Sequence, residues 1–494
     1  MSASMKIIAM YLPQFHRIPE NDEWWGEGFT EWTAVKNAAS LFEGHLQPKK
    51  PLNQNYYNLM NRSTMEWQAG LMEKYGVDGL CFYHYWFKDG RRILEKPAEK
   101  LLEWKDINIP YCFCWANETW ARSWSGLSGI NVWADKYEKK SDKTILLEQK
   151  YGSQNDWIDH FEYLLQFFRD DRYLKVDGRP IIMLYKCSII SRLPAMIDCW
   201  RKLAKQNGFP DLFVIGGNSA RVPYGVLDRR IMKEPQTDSH KVECKKINGV
   251  EVKEYDDFWD RILSADESDP NMLFSCFVNY DDTPRRAEKG YVVRGGNPKK
   301  FEHYLYELLI KNHRKGNSLT FVNAWNEWGE GMYLEPDEQY GYAYLESISN
   351  AKHQFESTSI IVENTHKLNK KVNNSKDTIY LHLLSKWMRL RERGVKLSEY
   401  FICNGFSNIA IYGYGVFAEH LIEELKCSGI TVKYVIDKNL VDAFIPTYRP
   451  GIDCSDVDAV IVCSFYYFEE IYSNLKQNCC AEILSIENII NELG

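Results

Sequence analysis

Short apolar runs and segments of helical periodicity alternate along residues 6–324. A short, wholly apolar run is typical of a strand buried on both faces, as in a parallel sheet. The predicted strands, in chain order, are Lys6–Tyr11, Gly79–Tyr85, Pro110–Trp115, Pro180–Tyr185, Leu212–Gly216, Arg230–Glu234, Met272–Val278 and Leu319–Ala324. The predicted helices are Met65–Tyr75, Trp157–Arg169, Pro194–Gln206 and Phe301–Asn312. This alternation predicts an α/β fold, a (β/α)8 TIM-like barrel over residues 1–355.

The pattern changes after residue 355. Ser357–Lys376 is polar and predicts a linker, and Asp377–Arg393 has the pattern of a connecting helix, so residues 356–400 join two domains. Residues 401–494 predict a small Rossmann-like α/β domain. Its predicted elements are the strand Ser407–Tyr412, the helix Glu419–Lys426 and the strands Val432–Ile436, Ala459–Cys463 and Glu482–Ile486.

The first strand of this small domain runs into Gly413-Tyr-Gly-Val-Phe-Ala418, a Gly-x-Gly-x-x-Ala sequence. In a dinucleotide-binding fold, Gly413 would permit the tight turn and Gly415 the approach of a phosphate, while Asp437 would hold a ribose hydroxyl. A half-size unit with one such fingerprint is also compatible with a docking domain or a degenerate one. Nucleotide binding here is therefore one of two interpretations.

Candidate chemistry is densest after the eighth predicted strand, in Trp325-Asn-Glu-Trp-Gly-Glu-Gly331. On a regular strand Glu327 and Glu330 would face opposite sides, whereas a loop turned by the glycines would let both face one pocket. Two carboxyl groups beside aromatic walls suit glycosyl chemistry, which needs a proton donor and a base or nucleophile. The alternative is a solvated acidic turn. The apolar strand and the indoles favour a catalytic pair, Glu327 and Glu330.

Polar and aromatic residues also follow other predicted strands, at the end where a barrel places its active site. The substrate-binding candidates are Gln14, His16, Glu31, Trp32, Tyr83, His84, Trp86, Trp115, Asn117, Glu118, Tyr185, Glu234, Asn326 and Trp328. Their structural alternatives are a satisfied buried hydrogen bond for the polar side chains and core packing for the tryptophans. Asp281 and Asp282 with Arg285 and Arg286 could bind an anionic sugar or a phosphate, or could form a surface ion-pair cluster.

Composition narrows the classes of function. The net charge of −7 provides no basic field to attract nucleic acid, and 16 Trp and 31 Tyr could supply stacking platforms for sugars. No apolar run is long enough to span a membrane, and the N-terminus becomes polar too soon for a secretory signal. The 13 cysteines lack the spacing of a zinc site and read as reduced thiols of a cytoplasmic protein. No metal and no cofactor are expected.

Five motifs together resemble one family. They are Tyr11-Leu-Pro-Gln-Phe-His16, Trp25-Gly-Glu-Gly-Phe-Thr-Glu-Trp32, Tyr83-His-Tyr-Trp86, Trp115-Ala-Asn-Glu118 and Asn323-Ala-Trp-Asn-Glu-Trp-Gly-Glu330. Over residues 5–355 the chain resembles the WbsX-type glycosyltransferases, which are associated with synthesis of bacterial surface polysaccharide (O-antigen). Their catalytic domain is similar to glycoside hydrolase family 99, the endo-α-mannosidases and endo-α-mannanases.

The resemblance implies specific roles. In family 99 the first carboxylate takes a proton from the sugar's own 2-hydroxyl, which gives a 1,2-anhydro intermediate and retention at the anomeric carbon. The second carboxyl group acts as the acid and then as the base. On this chain Glu327 corresponds to the first and Glu330 to the second, and Glu234 matches an acidic position after the sixth strand.

Three functions remain open at this point. A cytosolic glycosyltransferase that builds a surface polysaccharide (O-antigen or capsule) is favoured by the polar N-terminus and by the small C-terminal domain. A retaining endo-glycosidase differs only in using water as the acceptor. A non-catalytic glycan-binding barrel would predict the loss of one carboxylate. The expected partner is an oligo- or polysaccharide, with a nucleotide sugar or a lipid-linked glycan as an alternative donor.

Overall fold

The chain forms two units in the computed structural model, Met1–Ile360 and Ile361–Gly494. The structure describes residues 5–121, 145–237, 239–372, 376–439, 445–477 and 479–493.

The strands of the first unit are β1 (Lys6–Tyr11), β2 (Gly79–Trp86), β3 (Arg92–Ile93), β4 (Tyr111–Trp115), β5 (Trp120–Ala121), β6 (Ile145–Leu147), β7 (Lys175–Val176), β8 (Arg179–Leu184), β9 (Phe213–Gly217), β10 (Arg229–Met232), β11 (Lys245–Ile247), β12 (Val250–Glu254), β13 (Met272–Phe274), β14 (Cys276–Phe277), β15 (Tyr291–Arg294), β16 (Leu319–Asn323), β17 (Asn326–Glu327) and β18 (Met332–Tyr333). Its helices are α1 (Pro19–Trp25), α2 (Glu31–Asn37), α3 (Arg62–Tyr75), α4 (Lys96–Glu103), α5 (Gln154–Phe168), α6 (Leu193–Gln206), α7 (Tyr255–Ser264), α8 (Thr283–Arg286) and α9 (Pro298–Arg314), and α10 (Ala343–Val372) begins in this unit.

Parallel strands close almost completely into a barrel. The order of neighbours is β13, β10, β9, β8, β4, β2, β1, β16 and β14, and each of these pairs is parallel. Pairing of β1 with β16 joins the first predicted strand to the last, which an open sheet wound in chain order would not do. The predicted (β/α)8 barrel is confirmed, and each predicted strand lies within two or three residues of an observed one.

The seventh predicted strand is divided in two, and this division closes the barrel. Its first half, β13, pairs with β10, whereas its second half, β14, pairs with β16. Ser275 lies between the halves and donates both its N–H (3.3 Å) and its hydroxyl (2.6 Å) to the carbonyl of Met232. The backbone therefore leaves one neighbour and joins the other at this residue.

The barrel strands are apolar because both of their faces are covered. Every residue of β4, β9 and β16 is buried. The helices cover the outer face through stripes of helical spacing, such as Trp157, Phe161, Leu164 and Phe168 of α5, all of which are buried. In the described ranges, no helix has both the length and the apolar composition needed to cross a membrane.

The stretch predicted as a linker is helical. Helix α10 continues through Ser357 to Val372, residues 373–375 lie outside the described residues, and α11 begins at Lys376. Polarity did not predict this helix, and residues 343–372 contain neither glycine nor proline. A polar sequence without a helix breaker can continue a helix that the preceding apolar turns have started.

The second unit contains one parallel sheet. Its strands are β19 (Asn408–Tyr412), β20 (Thr431–Ile436), β21 (Thr447–Tyr448), β22 (Ala459–Val462) and β23 (Glu482–Ser485). Its helices are α11 (Lys376–Glu392), α12 (Leu397–Cys403), α13 (Val416–Leu425), α14 (Phe468–Leu475) and α15 (Ile486–Leu493). The strand order is β21, β20, β19, β22 and β23, and separate apolar clusters cover the two faces of the sheet. The observed strands match the four predicted ones, with β21 in addition.

Candidate active site

A cavity of about 360 Å³ lies at the carboxyl ends of the barrel strands. Seven of the eight strand positions send residues into it, all except β9. The lining residues are Leu12, Gln14, Trp25, Phe29, Glu31, Ala34, Tyr83, Tyr85, Ala116, Glu118, Trp120, Leu146, Tyr185, Gln236, Tyr280, Asp282, Arg285, Arg286, Glu327 and Glu330. Aromatic rings and carboxyl groups from distant parts of the chain thus meet in one opening, which is where a barrel places its chemistry.

The two candidate catalytic glutamates are presented by a hairpin. Strand β17, which contains Glu327, pairs antiparallel with β18, and a tight turn that contains Glu330 joins them. Gly331 closes this turn in the left-handed region, with φ of +64°, which favours glycine. The chain has left the barrel sheet before Glu327, so strand alternation no longer separates the two side chains. Both line the cavity.

Arg285 connects three carboxylates in this cavity. Its Nη2 donates to Glu327 Oε2 at 2.8 Å, its Nη1 to Glu330 Oε1 at 2.5 Å, and its Nε to Glu31 Oε1 at 2.6 Å. The arginine lies on α8, directly after the loop that follows β14. Asp281 holds that loop against the hairpin, since its N–H donates to the carbonyl of Glu330 at 2.7 Å. The interpretation of Arg285 as part of a surface ion-pair cluster is wrong, because its side chain is largely buried within the site.

Gly329 makes room for the third carboxylate. A Cβ at this position would overlap Glu31 Oε1 and would lie 2.8 Å from Arg285 Nε. The φ of Gly329 is not in the left-handed region, so glycine is needed here for space and not for backbone conformation. Glu31, the first residue of α2, can therefore approach the hairpin between the two candidate catalytic residues.

The charges in the cluster do not balance. Burial raises the pKa of Glu327 to about 8; Arg285 opposes this shift, whereas the neighbouring charges of Glu330 and Glu31 add to it. One guanidinium shared among three carboxylates cannot offset the burial of Glu327. For Arg285, burial alone would lower the pKa, but the three carboxylates outweigh it and hold the pKa well above its ordinary value. The arginine is thus cationic, while burial disfavours ionisation of Glu327.

Asp282 is a further carboxyl group in the cavity. It accepts hydrogen bonds from the N–H of Tyr291 at 2.8 Å and the hydroxyl of Tyr280 at 3.2 Å, and Arg286 Nη1 lies 3.4 Å away. Burial, followed by the charge of Glu330, raises the pKa of Asp282 to about 6. Like Glu327, it is a carboxyl group whose ionisation the cavity disfavours.

The candidates on β2 face two different sides, as the alternation of side chains along a strand requires. Tyr83 lines the cavity, as does Tyr85, which was not among the candidates. His84 and Trp86 point to the opposite side, beneath α5, where His84 Nε2 lies 2.8 Å from His160 Nε2 and Trp86 stacks on the same imidazole at 4.4 Å between ring centres. Burial lowers the pKa of His84 to about 3, so the ring is neutral. The period of two along a strand could have separated these residues.

Four other candidates lie outside the cavity. Trp115 packs on the ring of His160 and donates its indole N–H to the carbonyl of Trp86 at 3.0 Å. Asn117 binds the backbone of Lys186, accepting from its N–H at 2.9 Å and donating to its carbonyl at 2.8 Å. The other two are His16, whose Nδ1 lies 2.8 Å from the carbonyl of Pro13, and Glu234, which is buried at the end of β10.

The remaining candidates divide in the same way. Gln14, Glu118 and Tyr185 line the cavity. Asn326 is fully buried and binds both backbone groups of Leu12, at 2.7 and 3.0 Å, so it joins the hairpin to the end of β1. Trp32 packs against Phe15, Tyr56, Tyr57 and Trp328 and donates its indole N–H to the carbonyl of Tyr57 at 2.8 Å.

A buried carboxyl group, Glu335, holds the two indoles of the hairpin. It accepts from Trp325 at 2.9 Å, Trp328 at 2.7 Å, Gln68 at 2.8 Å and Tyr57 at 2.8 Å. These four bonds favour its charged form, yet burial raises its pKa to about 7. Trp328 is fully buried and stacks on Tyr333, with ring centres 3.7 Å apart. The indoles therefore fix the hairpin from behind and do not line the cavity.

In the second unit, Asp437 closes the glycine-containing turn. Its Oδ2 accepts the N–H of Tyr414 at 2.7 Å and its Oδ1 accepts the N–H of Asn439 at 2.9 Å. Gly413 has φ of +89°, and a Cβ there would overlap the hydroxyl of Ser464. Gly415 precedes the first residue of α13. The turn predicted from the fingerprint is present, and the carboxylate expected to hold a ribose binds backbone N–H groups.

Sequence reasoning missed several lining residues. Tyr85, Trp120, Trp25 and Phe29 lie inside or next to motifs that were recognised, so their aromatic character was an available signal. Arg285 lies in an Asp-Asp-x-x-Arg-Arg sequence that suits either anion binding or exposed ion pairs, and nothing in that sequence predicted its contacts with Glu31, Glu327 and Glu330. Among the described residues, no three His, Cys, Asp or Glu side chains are grouped so as to hold a metal ion.

Curated relatives and solved structures resemble this chain. "Uncharacterized protein WxcX" from two strains of Xanthomonas campestris pv. campestris is 32% identical over 357 residues, which are 70% of this chain and 49% of the relative. The chain thus spans about half the length of the curated relatives it matches. A GH99 endo-alpha-mannosidase from Bacteroides thetaiotaomicron aligns with a TM-score of 0.46 and 14% identity over 71% of this chain and 97% of that one. A "Glycoside hydrolase-like protein" aligns with a TM-score of 0.43 and 13% identity over 70% and 94%.

The family assignment rests on a separate match. The family described as "Glycosyltransferase WbsX" matches residues 7–348, which include all of the barrel strands apart from Lys6 of β1 and every cavity-lining residue. The chain therefore belongs to the WbsX glycosyltransferase family.

Proposed function

We propose that this protein is a glycan-active enzyme that transfers glycosyl groups during the synthesis of a bacterial surface polysaccharide, with Glu327 and Glu330 as its catalytic residues. The observation that carries the proposal is the hairpin after β16, which aims both carboxyl groups into one aromatic-walled cavity at the carboxyl end of the barrel. Membership of the WbsX family supports the glycosyl chemistry and the polysaccharide context.

In the first proposed step, ionised Glu327 takes the proton of the donor sugar's 2-hydroxyl. The freed oxygen attacks the anomeric carbon, the bond to the leaving oxygen breaks, and Glu330 donates a proton to that oxygen. A base must be ionised to act, and burial keeps most of Glu327 protonated below about pH 8. The same burial makes the ionised carboxylate a stronger base, which suits a weakly acidic hydroxyl.

In the second step, an acceptor hydroxyl attacks the anomeric carbon and opens the 1,2-anhydro ring. Glu330, now ionised, takes the acceptor's proton, and Glu327 returns its proton to the 2-oxygen, so both residues end as they began. The two inversions give net retention. An acceptor sugar gives transfer, whereas water in the same position gives hydrolysis, and the residues used are the same.

The test is incubation of the purified chain with nucleotide sugars and with α-linked oligosaccharides, followed by mass spectrometry. Glu330→Gln should lose turnover while sugar binding remains measurable, because the amide keeps the shape of the side chain but cannot donate and then accept a proton. Glu288→Gln, an exposed site on the loop after α8, is the matched control and should keep the wild-type rate. A Glu330→Gln variant that turns over normally would remove the assignment.

A further inference from the structure

The guanidinium of Arg285 binds one oxygen of each carboxyl group that it contacts. It donates to Glu327 Oε2 at 2.8 Å, to Glu330 Oε1 at 2.5 Å and to Glu31 Oε1 at 2.6 Å. Within the described part of the chain, no group donates a hydrogen bond to Glu327 Oε1 or to Glu330 Oε2. Because both glutamates line the cavity, these two oxygens are the ones that remain for a substrate.

The same contacts decide where a proton can reside on each glutamate. A guanidinium is planar and rigid, so its two terminal nitrogens hold Glu327 and Glu330 side by side. An N–H from a cation stabilises the charged form of the oxygen that accepts it and disfavours a proton there. The proton of either carboxyl group therefore belongs on the other oxygen. The arginine thus fixes which oxygen of each glutamate can exchange a proton with the substrate.

Glu31 holds this guanidinium from its third nitrogen. It is the first residue of α2, and its side chain is only 4% exposed. With Nε bound to Glu31, the terminal nitrogens Nη1 and Nη2 are left for the hairpin, which sets the rotation of the guanidinium. Gly329 leaves the space for this contact, since a Cβ there would overlap Glu31 Oε1. Three elements that are distant in the chain therefore meet at one planar group.

We infer that Arg285 and Glu31 are positioning residues, in which Arg285 selects the reacting oxygen of each of the two glutamates and Glu31 orients Arg285. The inference rests on the proposed function, because it takes Glu327 and Glu330 as the catalytic pair. It also changes the expected role of Glu31 from a contact with a sugar hydroxyl to a contact with the arginine. Turnover would depend on both residues without either of them touching the sugar.

Arg285→Lys separates the shape of this side chain from its charge. A lysine keeps the positive charge but replaces the planar three-nitrogen donor by a single ammonium group. With the donor that wild type turns over, we expect kcat to fall by on the order of 100-fold, as for misplaced reacting groups, and KM to change little. Lys289→Gln removes a charge from an exposed position after α8 and is the matched control, with the wild-type rate expected.

Arg285→Lys with the kcat of wild type would overturn the inference and leave the proposed function standing. The proposed function is tested separately by Glu330→Gln, so the two failures can be distinguished.

The pH dependence of kcat/KM, which reports the free enzyme, is a readout that a purely structural role would not move. The charged groups that face Glu327 are Arg285, which lowers its pKa, and Glu330 and Glu31, which raise it. The rate should rise with pH as Glu327 ionises. Arg285→Gln should therefore move this rise to higher pH and Glu31→Gln to lower pH, while Arg285→Lys should leave it close to that of wild type.

Two tyrosines of β2 also lie beside Glu327. Burial raises the pKa values of Tyr83 and Tyr85 well above the ordinary value, so both stay neutral over the range of the assay and do not contribute to the rise. Opposite shifts in Arg285→Gln and Glu31→Gln support the inference. Shifts in the same direction, or no shift in either variant, would overturn it.

Urea denaturation gives the same comparison if no donor is turned over, because it needs no substrate. The free energy of unfolding falls as pH rises toward the folded-state pKa of Glu327. This fall should extend to higher pH in Arg285→Gln and should end at lower pH in Glu31→Gln. Curves that shift together, or that match wild type, would show that the three contacts do not control Glu327 and would overturn the inference.

Discussion

Replacing Glu327 by Gln should make the stability of the barrel less sensitive to pH. The Glu327 carboxyl group is buried, and its pKa is raised to about 8 from an ordinary value of 4.5. In the unfolded chain it would ionise near that ordinary value. Between these two pH values the folded protein therefore binds one more proton than the unfolded chain, so the free energy of unfolding falls as pH rises through this window.

The magnitude follows from the size of the shift. At about 1.4 kcal/mol for each tenfold change in proton affinity, a rise in the pKa from 4.5 to about 8 corresponds to roughly 5 kcal/mol between the low-pH and high-pH limits. Relaxation around the charged carboxylate reduces this, and we expect a loss of roughly 2–4 kcal/mol in the wild type. Glu327→Gln has nearly the same shape and stays neutral, so this component of the loss should be absent.

Urea denaturation at several pH values between about 5 and 9 measures the effect. The quantity of interest is the free energy of unfolding of Glu327→Gln minus that of wild type, which should increase with pH. Glu330→Gln should shift the fall in the free energy of unfolding to lower pH, because it removes a charge that raises the pKa of Glu327. Arg285→Gln should shift this fall to higher pH, because Arg285 lowers the pKa of Glu327. A difference between Glu327→Gln and wild type that stays constant over the whole range would refute the reasoning.

Three other substitutions test the structure around the two sites. Gly329→Ala should greatly reduce turnover with little change in secondary structure by circular dichroism, since its Cβ would displace the carboxylate of Glu31; normal activity would contradict the close approach. Glu335→Gln should lower the free energy of unfolding by about 2–4 kcal/mol in urea denaturation, because one amide oxygen cannot accept from four donors, and an unchanged midpoint would contradict this role. Asp437→Ala should destabilise the second unit by about 1–3 kcal/mol in the absence of any nucleotide, because the N–H of Tyr414 loses its acceptor; an unaltered thermal unfolding curve would argue against it.

The barrel could be predicted from the sequence because its causes are local. Strands buried on both faces must be apolar along their whole length, and the run from Leu319 to Ala324 identifies β16 nearly to the residue. Helices between such strands restrict the sheet to parallel pairing. The position of the cavity followed as well, because a barrel collects the carboxyl ends of all its strands at one face.

The side-chain directions within some of the motifs could also be predicted from the sequence. Alternation along β2 places Tyr83 and Tyr85 on one face and His84 and Trp86 on the other, and the structure follows that rule. The polarity of the stretch after Ser357 could not reveal that α10 continues through it, because a helix needs no apolar face to continue once it has formed. Residues 343–372 are helical for that reason, although much of their sequence is polar.

By itself, the sequence determined which segments become strands, where they end, and that two glutamates follow the last barrel strand. Only the tertiary structure decided that Arg285, Glu31 and the two glutamates form one cluster, since Arg285 and Glu31 are 254 residues apart in the chain. The pKa of Glu327 depends on that cluster and on burial, and neither is a property of neighbouring residues. Local pattern reports what a segment can form, whereas the charge state of a site depends on which distant groups the fold places within a few ångströms.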